Sequence, residues 1–247
     1  MSMSDLGYYE KSYRLMMLPL QNITQVITPV MHPIFSDFQN DKGKLLSSYE
    51  RIVRFLAFIG LPLSVLLFFT AEEVTLIIFG DQWMPSVPVF RILSLSVGIQ
   101  IILSSPGSIF QAAGDTRSLF VCGVFSSAFN VAGILLGIFH FGTLTAVASC
   151  IVVTFTINFI QCYWQMYRVT FRQSAWPFIR QLISPLVISI LIALVLIPMQ
   201  YALEGMNIFV TIIAKGIVSF IIFGIYIQMT HEYDMISKVR SLRKKSL

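Results

Sequence analysis

The sequence opens with a stretch that decides its class, GYYEKSYRLMMLPLQNI at residues 7–23, in which Glu10, Lys11 and Arg14 precede an apolar run reaching Phe35. A helix needs about 20 apolar residues to cross the hydrocarbon layer, and this run meets that length. Hydrophobic residues make up 56% of the 247-residue chain and charged residues 12%, whereas soluble domains carry about 25% charge. The sequence therefore predicts an all-α integral membrane protein.

Apolar runs separated by polar clusters indicate how many helices cross the membrane. With short connections, the chain has room for about seven crossings and none for a soluble catalytic domain. The runs predict helices near 7–35, 48–78, 86–112, 117–138, 143–167, 178–200 and 206–230. The second run is too long for one perpendicular crossing, and its pattern restarts after Glu72 and Glu73, so its last turns are expected along the membrane surface. The N-terminus lacks the pattern of a signal peptide, so the first helix is expected to insert itself.

Lysine and arginine gather in alternate connections. Those near the connections predicted to be cytoplasmic are Lys42, Lys44, Arg51, Arg54, Arg117, Arg168, Arg172 and Arg180, followed by the tail residues Lys238, Arg240, Arg243, Lys244 and Lys245. The other connections contain neither residue type. The positive-inside rule then predicts an N-terminus on the outer side of the membrane and a C-terminus in the cytoplasm. This topology explains the net charge of +5, so no nucleic-acid partner is expected, although the tail is suited to contact anionic lipid head groups.

Polar residues in the first helix recur at steps of four, seven, four, three and four. They are Glu10, Arg14, Gln21, Gln25, Thr28 and His32. This spacing places them on one stripe of a helix. One interpretation is an ion pair between Glu10 and Arg14 at the membrane surface; the other is a polar wall of a water-filled cavity. The stripe continues to His32 and so extends through the full depth of the membrane, where a side chain cannot reach the surface. The cavity interpretation is therefore favoured, and all six residues are candidate substrate ligands.

Charged residues elsewhere in the predicted spans allow more than one role. Arg91 suits phosphate binding, because guanidinium pairs with phosphate in bidentate fashion, and it is the seventh candidate ligand; a position with its head group at the outer interface fits equally. Lys215 is expected to be a lone lysine reaching the interface or packing on a peripheral helix.

Other motifs bear on packing and on cofactors. Small residues at steps of three to four in the fourth helix predict an inner packing helix; they are Gly123, Ser126, Ser127, Asn130, Gly133 and Gly137. The histidines and cysteines lack the spacing of metal ligands, and no nucleotide-binding loop is present, so no metal or other cofactor is expected.

Three segments resemble a known family. They are LGYYEKSYRLMMLPLQNITQVITPVMHPIFSDFQND at 6–41, FGDQWMPSVPVFRIL at 79–93 and QAAGDTRSLF at 111–120. They are similar to the polysaccharide transporters of the multidrug/oligosaccharidyl-lipid/polysaccharide flippase superfamily, in particular the O-antigen and colanic-acid flippases. The resemblance implies a two-lobed fold, of which residues 1–170 form most of the C-terminal lobe with about five transmembrane helices. Residues 171–247 add two helices and the basic tail.

The same resemblance implies a function. It predicts the C-terminal part of a flippase that moves undecaprenyl-diphosphate-linked oligosaccharide across the bacterial inner membrane by alternating access, without enzymatic activity. The missing N-terminal lobe, or a second copy of the chain, is expected to complete the cavity. One alternative is a membrane enzyme of polysaccharide assembly, a polymerase or acyltransferase, although the outer connections are short and lack a catalytic cluster. The other alternative is a truncated remnant that inserts but transports nothing.

Overall fold

A computed structural model describes residues 3–230 of the chain, apart from the side chain of His32. Every regular element in this part is helical. The prediction for the basic tail falls outside the described residues.

Residues 3–230 form ten α-helices. They are α1 Met3–Asp37, α2 Lys42–Phe69, α3 Ala71–Phe79, α4 Val87–Ser94, α5 Val97–Leu103, α6 Pro106–Ala112, α7 Thr116–Leu136, α8 Leu144–Gln165, α9 Trp176–Ala202 and α10 Ile208–Thr230. A 3₁₀ turn at Asp81–Ser86 precedes α4, and π-helical turns follow α7 at Gly137–Phe141 and α8 at Met166–Thr170. Thr70 separates α2 from α3, so the second predicted run divides just before Glu72 and Glu73, where its pattern restarts.

Five helices in the described part are long and apolar enough to cross a membrane: α2, α7, α8, α9 and α10. The segments Asp81–Ser94 and Val97–Ala112 meet at an angle of 48° and together make a sixth candidate. The first helix is 35 residues long, yet it is too polar to meet the same test. The predicted fold class is confirmed, and the number of spans agrees roughly with the seven predicted.

The third predicted helix, 86–112, is divided into three shorter helices in the structure, although its two parts can form one bent span. Ser94 and Ser96, and then Ser104 and Ser105, each donate a hydrogen bond to the carbonyl three residues earlier, at 2.7 to 2.8 Å. Such bonds compete with the helical ladder and bend helices. Pro106 has no N–H to continue that ladder. Together these residues divide the segment into α4, α5 and α6.

Helix α2 lies at the centre of the bundle, with α5 on one side and α9 on another. A Cβ atom at Gly98 would lie 2.8 Å from the backbone of Gly60, so the two glycines allow α2 and α5 to touch. The larger cluster of buried apolar residues joins α1, α2, α4 to α6 and α8. A smaller cluster, centred on Phe58, Ile188 and Leu196, joins α2 to α9, with α10 packed beside it.

Helix α7 packs against α8 through its small residues. A Cβ atom would come within 2.5 Å of Thr154 at Gly133 and within 2.7 Å of Val147 at Gly137. Gly123 and Ser127 are exposed, and little of α7 is buried within the described chain. The small-residue pattern therefore predicted a close contact correctly but was wrong in placing α7 inside the bundle.

Candidate functional site

The polar stripe of α1 lies on an open face of the helix. Glu10, Arg14, Gln21 and Gln25 are exposed, and Thr28 is half-buried. The prediction for the side chain of His32 falls outside the described part. Within the described residues, no ion pair joins Glu10 to Arg14, so the structure gives no support to a self-neutralised pair.

The opposite face of α1 fixes the rotation of the helix. Ser12 is fully buried, and the single donor of its hydroxyl is shared between Tyr8 O at 2.8 Å and Ser86 O at 2.9 Å. The side chain of Met16, also buried, accepts a hydrogen bond from Gln100 Nε2 at 3.3 Å. Since this face is packed against α4, α5 and the turn before α4, the stripe on the other side remains uncovered.

Two of the segments that carry the family resemblance meet at one end of this helix. The rings of Tyr8 and Trp83 make an edge-to-face contact with centroids 6.0 Å apart. The ammonium group of Lys11 lies 5.1 Å from the ring centre of Phe79 and 5.0 Å from that of Trp83. Cation–π contacts of this kind contribute about 0.5–1 kcal/mol at exposed sites. The start of α1 is therefore anchored by contacts of Tyr8 and Lys11 with Phe79 and Trp83.

Arg91 contacts α2 and α3. Its Nη2 atom lies 3.9 Å from Glu72 Oε2, and its guanidinium lies 5.9 Å from the ring centre of Phe68. No contact described for Arg91 joins it to the stripe of α1. Arg91 is half-exposed, so the structure gives it an acidic neighbour while leaving part of its head group open.

A buried charge cluster that the sequence did not predict lies where α10 meets α3. Lys215 is fully buried, and its ammonium donates hydrogen bonds to Phe69 O at 2.8 Å, to Gln200 Oε1 at 2.7 Å and to Glu73 Oε1. All three donors of the ammonium are therefore used. Lys215 is therefore not a lone lysine reaching the interface. It is buried on α10, as the packing alternative expected, and it pairs with a carboxylate 142 residues earlier.

A pocket of about 420 Å³ adjoins this cluster. Its polar lining comes from Glu72, Glu73, Gln200, Glu204 and Lys215, together with Thr211 and Tyr201. Glu73 Oε2 is buried and has no hydrogen-bond partner in the described part. The cluster holds α9 and α10 against α3, and one carboxylate oxygen remains able to accept a hydrogen bond.

The segment Gly114–Arg117 forms the start of α7. Gly114 adopts φ of +70°, a left-handed conformation that glycine tolerates best. The carboxylate of Asp115 accepts hydrogen bonds from the amide of Ser118 at 2.9 Å and from the hydroxyl of Thr170 at 2.6 Å. Partial burial raises the pKa of Asp115, but these hydrogen bonds outweigh it and the net pKa lies below the usual value. The motif therefore caps α7 and ties it to the π-helical turn that follows α8.

Residues 1–88 match a family described as "Polysaccharide biosynthesis protein". The chain is 26% identical over 174 residues to the teichuronic acid biosynthesis protein TuaB of Bacillus subtilis, which covers 69% of this chain and 35% of TuaB. It is 24% identical over 200 residues to the lipopolysaccharide biosynthesis protein WzxC of Escherichia coli, covering 81% of this chain and 40% of WzxC. The succinoglycan biosynthesis transport protein ExoT of Rhizobium meliloti is 23% identical over 198 residues.

Among solved structures, the lipid II flippase MurJ in an inward closed conformation matches with a TM-score of 0.72. The match covers 94% of this chain and 48% of MurJ at 15% identity, which establishes the fold. The described helices thus form a multi-pass membrane protein with the fold of part of a flippase. The resemblance to polysaccharide transport proteins predicted from the sequence is confirmed, and the partial coverage fits their C-terminal portion. This chain spans 35 to 40% of the length of these three relatives.

Proposed function

We propose that the chain forms the C-terminal part of a flippase that exports lipid-linked oligosaccharide repeat units across the bacterial inner membrane by alternating access. The observation that carries this proposal is the open polar face of α1, on a helix whose opposite face is packed into the bundle. A charged side chain at the centre of the bilayer costs about 2.5–3.5 kcal/mol even on insertion scales. Residues such as Arg14 on this face therefore require water or a polar ligand.

The substrate that suits this face carries both phosphate and sugar. On this face, Arg14 is suited to the diphosphate of an undecaprenyl-diphosphate-linked oligosaccharide. Arg91 has the same chemistry and stays a candidate ligand, but it lies beside Glu72 and not on the stripe of α1. Gln21, Gln25, Thr28 and His32 supply groups that hydrogen-bond to sugar hydroxyls. An O-antigen or colanic-acid repeat unit is the substrate class we infer. We expect no cofactor, because alternating access neither forms nor breaks a covalent bond.

A second lobe opposite α1 completes the proposed cavity, either the N-terminal lobe of a longer protein or another copy of the chain. In this arrangement residues 1–170 are the partial C-terminal lobe, and 171–247 are the two additional helices and the tail. The distribution of lysine and arginine supports a periplasmic N-terminus and a cytoplasmic C-terminus. Transport is preferred to an enzymatic role because the polar groups of α1 spread along the helix rather than converging on one reacting atom.

The test is complementation of a flippase-deficient bacterium with this chain, with or without a co-expressed first lobe from a matching transporter. We expect surface polysaccharide only when both are present, and at least a tenfold loss with Arg14→Leu at an unchanged protein level. The matched control is Arg168→Gln, which removes an exposed arginine away from α1. A pair that never restores export would favour a non-functional remnant, whereas restoration by the chain alone would favour a homodimer.

A further inference from the structure

A groove of about 540 Å³ lies between the second half of α1 and the first half of α2. It is lined by Val26, Ile27, Val30, Met31, Ile34, Arg51, Ile52, Arg54 and Phe55. Val26 and Val30 are more than half exposed, and Phe55 is 45% exposed. The lining is thus an open apolar surface interrupted by two arginines.

The position of these arginines along α2 relates them to the membrane. Helix α2 ends at Phe69, and about 20 residues at 1.5 Å each span the hydrocarbon layer. Counting back from Phe69 places one edge of that layer near residue 50. Arg51 therefore lies at that edge, and Arg54 lies one helical turn inside it, from where its long side chain can reach the level of the lipid phosphates. The apolar residues of the groove extend from there along the acyl chains.

Arg51 forms no ion pair within residues 3–230. The residue is exposed. The adjacent Glu50 is engaged elsewhere, because its two carboxylate oxygens accept hydrogen bonds from Tyr167 at 2.8 Å and Gln181 at 3.1 Å. Arg54 is half-buried, with its guanidinium 5.9 Å from the ring centre of Phe58. Guanidinium groups bind phosphate oxygens strongly, and the low dielectric beside hydrocarbon strengthens the attraction.

We propose that this groove binds one anionic phospholipid of the surrounding membrane, with its phosphate on Arg51 and Arg54 and an acyl chain along Val26, Val30 and Phe55. The two positive charges at phosphate level and the apolar surface beyond them complement the two parts of such a lipid. The site is separate from the open stripe of α1, so it goes beyond the proposed transport function. The bound lipid holds the second half of α1 against α2.

The test uses the purified full chain in phosphatidylcholine nanodiscs containing phosphatidylglycerol with a photoreactive acyl chain. We expect cross-links to map to residues 26–34 and 51–55, and to fall at least fivefold in Arg51→Gln. Arg168→Gln is the matched control, and it should cross-link like the wild-type chain. Unlabelled phosphatidylglycerol should compete, and it should raise the Tm of the wild-type chain more than that of Arg51→Gln.

Other results would overturn the proposal. Equal labelling by a photoreactive phosphatidylcholine would show that the groove binds acyl chains without regard to charge. Stronger competition by a polyprenyl phosphate than by phosphatidylglycerol would assign the groove to a transported lipid instead. Arg51→Gln removes no described ion pair, so a folded variant is expected; the Arg51→Lys variant keeps the charge and should retain most of the cross-linking.

Discussion

The stripe on α1 and the cluster around Lys215 are two polar regions within membrane-length helices, and they differ in burial. The side chains of Arg14, Gln21 and Gln25 are exposed, whereas Lys215 is fully buried and donates to three oxygen atoms. A charge whose donors are all used by the protein has little left for a ligand. The comparison therefore separates a polar region that stabilises the fold from one that remains available for binding.

The largest effect expected from this comparison is on stability. Lys215→Met leaves the carboxylate of Glu73 buried without its cation, and breaking a buried pair in this way costs about 3–5 kcal/mol. Arg14→Met alters an exposed side chain, and such changes usually stay within about 0.5 kcal/mol. Unfolding in detergent, followed by tryptophan fluorescence, measures both. Equal losses of unfolding free energy in the two variants would contradict the view that Lys215 stabilises the fold and Arg14 does not.

A smaller effect is expected when both partners of the buried pair are replaced. Buried ion pairs exchanged for apolar residues of similar volume are often neutral or stabilising. The Lys215→Met/Glu73→Met variant should therefore recover at least half of the stability lost in Lys215→Met. The coupling energy expected from a double-mutant cycle is about 0.5–3 kcal/mol. Strictly additive losses would mean that Gln200 and Phe69 O, rather than Glu73, account for the contribution of Lys215.

The smallest effect concerns Asp115, a partly exposed carboxylate stabilised by the hydrogen bonds of Thr170 and Ser118 and by the charge of Lys42. Replacing an N-cap residue such as Asp115 with alanine should cost about 0.5–2 kcal/mol. Because the folded pKa of Asp115 is lowered, its contribution is present above the unfolded pKa and is lost as the pH falls through the folded value. Unfolding of Asp115→Ala and wild type across acidic pH should show the difference shrinking. Asp37→Ala, at the exposed end of α1, is the control; a difference that stays constant with pH would contradict this account.

The polar stripe shows which part of the candidate site was predictable. The period of an α-helix depends on local geometry, so the spacing from Glu10 to Thr28 was enough to place these residues on one side of α1. Which side is packed depends on Ser12 and Met16, whose partners Ser86 and Gln100 lie in later segments. Their role as ligands stays a prediction.

Two elements differ from the expectation from sequence, the segment 86–112 and helix α7, and these differences have another cause. The break within 86–112 depends on serine hydroxyls that bond to nearby carbonyls, although the same residues also occur in unbroken helices. The sequence contained Ser94, Ser96, Ser104 and Ser105, but their rotamers are set by the packing around them. The small residues of α7 likewise predicted a close contact with another helix, but they did not indicate how many helices would pack against α7.

The sequence by itself predicted the membrane class, the approximate positions of the helices and the stripe on α1. These features follow from composition, helical period and the distribution of positive charge, which are properties of about 20 residues of chain at a time. The pairing of Lys215 with Glu73 was decided only when α10 packed near α3, across a separation of 142 residues. The cost of a charge in a membrane depends on which groups surround it. A local pattern does not contain that information, so tertiary structure alone distinguished the buried lysine from the exposed arginine.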